Sequence, residues 1–270
     1  EFDFERVYNS KSDFKGILGP GWGYSYGNAL TLDVDGSVTI TDYGGGSDSR
    51  FQSSALSPDE QAVVIKAILA APGDSAIAAL GGAGAEEELR RNGTFLRAQW
   101  RRCVELGAAK PRVLAPGTVL EAYKYGYQTL TKLVDGYERI ATNGRRERYD
   151  VQGRLVRTSD RNGAFIAVSY DAKGRPIRLQ DDRRKFMALQ YDKRGLLERL
   201  SSDHGKAATY RYHESGLLAE SKDTEGNVYQ YDYTADGYYN LTRIGYDDGT
   251  SLEVEYYGRD TLSNVKSMTD

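Results

Sequence analysis

Tyr149-Asp150-Val151-Gln152-Gly153-Arg154-Leu155 decides the fold, because it does not stand alone. Tyr170-Asp171-Ala172-Lys173-Gly174-Arg175-Pro176 follows it, then Tyr191-Asp192-Lys193-Arg194-Gly195-Leu196-Leu197, then Tyr212-His213-Glu214-Ser215-Gly216-Leu217-Leu218. A worn fifth copy is Tyr233-Thr234-Ala235-Asp236-Gly237-Tyr238-Tyr239, and each copy begins 21 residues after the last. Five copies in phase make a repeat, and a repeat limits the architecture before any other signal. The defining positions are Tyr149, Asp150 and Gly153; Tyr170, Asp171 and Gly174; Tyr191, Asp192 and Gly195; Tyr212 and Gly216; Tyr233 and Gly237.

A second punctuation falls midway, at Asp160-Arg161-Asn162-Gly163, at Gly205 and at Asp223-Thr224-Glu225-Gly226. The matching Asp181-Asp182-Arg183-Arg184 has no glycine. Glycine supplies the positive φ that closes a tight turn, and an aspartate side chain caps it. Two turns per repeat leave two strands of about six or seven residues. Each repeat is therefore a β-hairpin and the array an antiparallel meander.

Strand alternation puts Ile166, Val168 and Tyr170 on one face. Met187, Leu189 and Tyr191, then Ala208, Tyr210 and Tyr212, then Tyr229, Tyr231 and Tyr233 share its columns. The other face is mixed: Phe165, Ala167 and Ser169 in one copy, Ala207, Thr209 and Arg211 two copies later. In the first strands Arg157 alternates with Val156 and Thr158, and a long Arg stem covers apolar surface while its head stays wet. With neither face purely apolar, the expectation is a sheet that bounds a wet interior.

Outward from the array, Phe2 to Tyr8 alternates, Asp35-Gly36 reads as a hairpin turn and Ser37 to Thr41 as a strand. Gly19-Pro20-Gly21-Trp22-Gly23 is turn-rich, with Trp22 a candidate plug or packing anchor. The grammar changes over 56–110, which is rich in Ala, Glu and Leu. Ser57-Pro58-Asp59-Glu60 starts a helix that ends before Pro72. Residues 72–85 are Gly- and Ala-rich and are expected to be mobile. A second helix runs from Glu86 to Glu105, weakened at Asn92-Gly93, with Leu89, Leu96, Trp100 and Val104 on one face. Strands resume near Val119, with a turn at Asp135-Gly136. The predicted division is a β segment over 1–55, a helical insertion over 56–115 and the repeat array over 116–270.

Composition narrows the function. The 270 residues include 21 Tyr and 30 Gly, which suits sheets and turns and excludes disorder. The 36 basic and 39 acidic residues interleave along the chain, giving a net charge of -3 and no nucleic-acid footprint. No apolar stretch is long enough for a membrane span. The chain opens at Glu1 without Met, as an excerpt of a longer protein would. A lone cysteine, Cys103, excludes an internal disulfide and reads as structural. His204 and His213 lack the further ligands a metal needs, and Asp33-Val34-Asp35-Gly36 lacks the rest of a calcium loop. Asp150, Asp171 and Asp192 recur with the turn, whereas catalytic carboxylates are local and asymmetric. No enzyme, cofactor or metal site is expected.

The Tyr-Asp-x-x-Gly-Arg-Leu unit at 149–155 and 170–175, with Asp160-Arg161-Asn162-Gly163 between, resembles the YD repeat of bacterial Rhs proteins, toxin-complex shell subunits and teneurins. Phe4-x-Arg6-x-Tyr8-x-Ser10 and Leu18-Gly19-x-Gly21-Trp22 resemble the segment that precedes those repeats. The resemblance covers about 1–51 and 119–270. It implies a β-sheet that spirals into a hollow shell, structural rather than enzymatic, enclosing a polypeptide such as a C-terminal toxin in an exported bacterial protein. The chain has no Asp-Pro-x-Gly-Leu motif, so self-cleavage is not carried over. The implied partners are a polypeptide cargo or further repeats, with self-association through raw sheet edges also expected. The alternative is a secreted or cell-surface recognition module that binds carbohydrate or a partner protein through its Tyr-rich faces.

Overall fold

The computed structural model describes residues 2–235, 237–257 and 264–270. The opening segment contributes β1 (Arg6–Tyr8), β2 (Lys15–Gly16), β3 (Gly19–Pro20), β4 (Trp22–Tyr24), β5 (Ala29–Leu32), β6 (Val38–Asp42) and β7 (Ser47–Phe51). Three helices follow: α1 (Pro58–Ala70), α2 (Ser75–Arg91) and α3 (Gly93–Glu105). Then come β8 (Val119–Ala122), β9 (Gln128–Leu133), β10 (Gly136–Ile140), β11 (Arg146–Tyr149) and β12 (Leu155–Ser159). The array continues as β13 (Phe165–Tyr170), β14 (Pro176–Asp181), β15 (Phe186–Tyr191), β16 (Leu197–Ser202) and β17 (Ala207–Tyr212). It ends with β18 (Leu218–Lys222), β19 (Val228–Tyr233), β20 (Leu241–Tyr246), β21 (Ser251–Tyr256) and β22 (Val265–Thr269). The fold is mainly β, an antiparallel meander with a three-helix insertion.

Two compact units emerge. One holds residues up to 29, 41–48 and 143 onward; the other holds 30–40 and 49–142. Of the fifteen meander strands, β8 to β10 belong to the second unit and β11 to β22 to the first. Within each, every strand pairs antiparallel with its neighbour in sequence.

In the first unit, the register shifts by one residue at every repeat tyrosine. Tyr149 pairs with Leu155, Tyr170 with Pro176, Tyr191 with Leu197 and Tyr212 with Leu218. Such a bulge bends the strand and increases its twist where the turn begins. The cross-strand partners Val168–Leu179 and Leu189–Leu200 form a buried column, continued by Tyr210 and Tyr231. The column is buried although neither face is purely apolar in sequence. The reason is tertiary: the opening segment packs against it.

The second unit buries Val34, Val64, Ile65, Ile68, Leu89, Leu96, Trp100 and Cys103 together. Helix α1 begins with a capping box, the Ser57 hydroxyl accepting from the Glu60 N–H while the Glu60 carboxylate accepts from the Ser57 N–H. The stretch 72–85, expected to be mobile, is helical from Ser75, so the helix expected at Glu86 starts eleven residues early. Asp74 caps it through the Ala76 and Ile77 N–H groups, and its alanines favour the helix. The glycines leave one mark, a kink at Gly81, where φ is +68°. Asn92 ends α2 and its side chain caps α3 by accepting from the Phe95 N–H, so Asn92-Gly93 is a full break.

Candidate functional site

Each letter of the repeat has a physical duty, most clearly in the second copy. The Asp171 carboxylate accepts from the Lys173 and Arg175 N–H groups, and Gly174 closes the turn at φ +78°. Arg175 returns an ion pair to Asp171 at 2.7 Å and lays its guanidinium over the Tyr191 ring of the next copy, 4.6 Å from its centre. Arg154 does the same with Asp150 and Tyr170. The residue two places after the turn glycine is buried in the first four copies: Leu155, Pro176, Leu197 and Leu218.

The tyrosines stitch neighbouring copies. Tyr170 donates its hydroxyl to the Leu155 carbonyl at 2.7 Å, Tyr212 to Leu197 at 2.8 Å and Tyr233 to Leu218 at 2.8 Å. Tyr191 donates likewise to Pro176. Each bond reaches back fifteen residues. Burial drives the phenol pKa of Tyr170, Tyr191, Tyr212 and Tyr233 upward, which keeps these donors protonated. Tyr256 makes the same bond to Leu241 at 2.9 Å. It is a sixth copy that the strict 21-residue phase hides, because the loop after Tyr233 is two residues longer. Asp236 of that loop lies outside the described residues.

Departures from the motif keep the contact and change the atoms. In the third copy Leu196 stands where arginine is expected, and Arg194 pairs with Asp192 and reaches over Tyr212 at 5.8 Å. In the fourth, His213 replaces the aspartate and stands edge-on to Tyr233, with ring centres 6.5 Å apart. The remaining histidine, His204, is exposed in a turn beside Asp203.

The opening segment lines the tyrosine face. Trp22 is buried, with its Nε1 donating to the Tyr233 hydroxyl at 2.9 Å and its ring edge-on to Tyr231 at 5.2 Å. Arg6 lies over Tyr210 and donates to the Tyr231 hydroxyl at 3.1 Å. Tyr8, whose pKa burial pushes up to about 12, accepts from the Leu241 N–H. The Ile17 carbonyl accepts from the Leu197 N–H at 2.7 Å. Two glycines are obligatory here: a Cβ on Gly23 would fall 1.4 Å from the Tyr43 carbonyl oxygen, and one on Gly19 would fall 2.3 Å from that of Gly216.

Further along the same unit, Glu147 is buried. Its carboxylate accepts from Asn28 at 2.9 Å and the Tyr149 hydroxyl at 2.7 Å, and pairs with Arg145 at 2.6 Å. Every partner is needed, because a buried carboxylate without them carries a large desolvation cost. A groove of about 1010 Å³ opens beside it, lined by Tyr26, Arg145, Asp160, Asp181 and Lys185 among others. Charges of both signs line it.

In the second unit, Cys103 is buried in the helical core, and burial pushes its thiol pKa up. Asp33 faces Arg101 at 2.8 Å, and that hydrogen bond leads the causes that hold its pKa down. Its turn is therefore held by arginine. Glu121 accepts from the hydroxyls of the exposed Tyr123 and Tyr127 at 2.6 and 2.8 Å.

Residues 149–184 match the family model described as RHS Repeat, and residues 1–51 match the one described as Domain of unknown function (DUF6531). Among solved structures, the chain is similar to the crystal structure of TcdB2-TccC3 at 13% identity and a TM-score of 0.34, over 97% of this chain and 11% of that one. It is also similar to TcdB2-TccC3 without its hypervariable C-terminal region, at 14% identity and a TM-score of 0.33, over 89% and 11%. A third similar structure, TcdB2-TccC3-Cdc42, has 14% identity and a TM-score of 0.35 over 52% and 9%. The chain spans about a tenth of the length of those chains. No curated protein matches it.

Proposed function

We propose that the chain, whose residues 149–184 match the RHS Repeat model, forms part of a β-sheet wall that encloses a polypeptide, such as a toxic C-terminal segment of an exported protein. The observation that carries this reading is the recurring stitch from Tyr170, Tyr191, Tyr212, Tyr233 and Tyr256 to the carbonyl fifteen residues back. A sheet built this way extends as a continuous barrier, and its mechanism is exclusion of proteases and of the cargo's targets. The 13 defining repeat residues from Tyr149 to Gly237 serve as structural stitches, and Trp22 as the anchor of the opening segment. The division at 55 and 115 separates wall from insertion. Edge strand β22, with Val265 and Met268 exposed, supports addition of a further strand from the same protein or a second copy.

The test is limited proteolysis of the intact parent protein. Enclosure predicts a second polypeptide that resists cleavage until the wall is opened by Trp22→Ala. Cleavage of that polypeptide at the rate of an unfolded control sinks the proposal.

A second reading, recognition at an exposed surface, is favoured by the Tyr123, Tyr125 and Tyr127 hairpin, whose rings are all more than half exposed. Loss of glycan-array binding in Tyr123→Ala would support it, and an array blank for the native chain would end it.

A further inference from the structure

Along the chain, acids and bases interleave, but the pleat sorts them. On the face opposite the tyrosines, strand pairing aligns Arg157 with Ala167, Arg178 with Ser169 and Ala188, and Arg199 with Gln190 and Thr209. Phe165 and Phe186 stand on the same face, and Arg157 and Arg178 stack over their rings, each 3.7 Å from the centre. No paired position on this face from β12 to β16 holds an acid. The repeat aspartates are drawn off to the turns, where backbone N–H groups and Arg154, Arg175 and Arg194 engage them. Arg157, Arg178 and Arg199 make no hydrogen bond or ion pair among the described residues. Glu198, at the bulge of β16, is the carboxylate adjoining the row and forms no ion pair among the described residues.

We propose that this arginine row docks an acidic polypeptide segment in polyproline II conformation, with a carboxylate at every third residue. The geometry fits. Equivalent strands lie two apart, so the arginines recur at about 9.5 Å across the sheet. Polyproline II has three residues per turn and rises about 3.1 Å per residue, which puts every third side chain on one side at about 9.3 Å intervals. Guanidinium forks match carboxylates in charge and in hydrogen-bond geometry. Gln190, Ser169 and Thr209 beside the row offer polar groups to the peptide backbone. Single-stranded nucleic acid is disfavoured, because it needs open aromatic faces for its bases and guanidiniums already cover Phe165 and Phe186. The inference rests on the enclosing-wall reading only for the source of the segment.

The experiment is fluorescence anisotropy on the full chain with labelled peptides of repeated Glu-Pro-Pro and repeated Gln-Pro-Pro, and with oligothymidylate. The expected result is salt-sensitive binding of the Glu peptide alone, weakened about tenfold or more by R157Q/R178Q/R199Q. The variant R157K/R178K/R199K, which keeps charge and loses the fork, falls between. Circular dichroism and the unfolding midpoint establish that each variant is folded. Absent binding of the Glu peptide, equal binding by the Gln variant, or tighter binding of oligothymidylate each overturns the proposal. None of these outcomes touches protease protection of the cargo, so the row and the enclosure fail separately.

Discussion

Trp22 and Tyr233 are joined across 211 residues by one hydrogen bond of 2.9 Å, and the same tyrosine hydroxyl donates onward to Leu218. The opening segment is thereby tied to the mechanism that stitches the repeats. A turn-rich stretch whose own strands are no longer than five residues is held by the sheet it covers.

Replacing Trp22 separates the two contributions. Trp22→Phe removes the N–H and keeps most of the ring, at a cost of about 1 kcal/mol. Trp22→Ala also leaves a cavity against Tyr8 and Tyr231, and costs about 3–5 kcal/mol. Urea unfolding followed by tyrosine and tryptophan fluorescence measures both, and equal costs for the two variants would refute the account.

Arg184 stands at φ +68° where Gly163 stands at +90° one repeat earlier. A side chain in this left-handed region costs about 1–2 kcal/mol, partly offset by the freedom glycine has when unfolded. Arg184→Gly should therefore stabilise by about 0.5–1 kcal/mol. The exposed guanidinium has no ion pair among the described residues to lose. A lower unfolding midpoint would contradict this.

Stability should be flat-topped in pH. Asp171 is held below the usual carboxylate range by the Arg175 N–H and guanidinium. For Asp192 and Asp223, burial pushes upward and hydrogen bonds from the turn outweigh it. These groups stabilise above pH 3.8 and lose that contribution as pH falls through their folded values. The stitching tyrosines are shifted up from 10.0, so their contribution is intact below pH 10.0 and is lost as pH rises beyond it. Thermal midpoints across pH give the curve, and a steady alkaline gain would rule out buried hydroxyl donors.

Cys103 reports on the second unit alone. Its thiol is buried and burial disfavours the thiolate, so native protein should resist a thiol reagent. Labelling should rise in step with loss of helical circular dichroism in urea. Rapid labelling without denaturant would show a helical core more open than the packing of Trp100 and Ile68 allows.

The hairpin array was legible because its signals are local: glycine at the turn, aspartate at the cap, alternation along the strand. The helix start at Ser57 was legible for the same reason. Over 72–85 glycine content is a poor guide to structure, since Asp74 and the alanines after it form a helix and the glycines only kink it. Tyr256 escaped because two extra residues shift its phase. Which face would be covered was not legible at all. Trp22, Arg6 and Ile17 find the tyrosine columns only once distant segments meet, and the arginine row appears only when strand register separates neighbours such as Asp192 and Arg199.

The backward reach of fifteen residues carries a further consequence. Within the array, each stitching tyrosine binds the repeat immediately before it and no other repeat, so the array has no inherent size. Gene duplication or loss of one 21-residue module lengthens or shortens it without rewriting the rest. The same economy makes it weakest at a free end: once the last module frays, the one behind it loses its outer neighbour, and loss proceeds inward like a row of knitting pulled from its final loop.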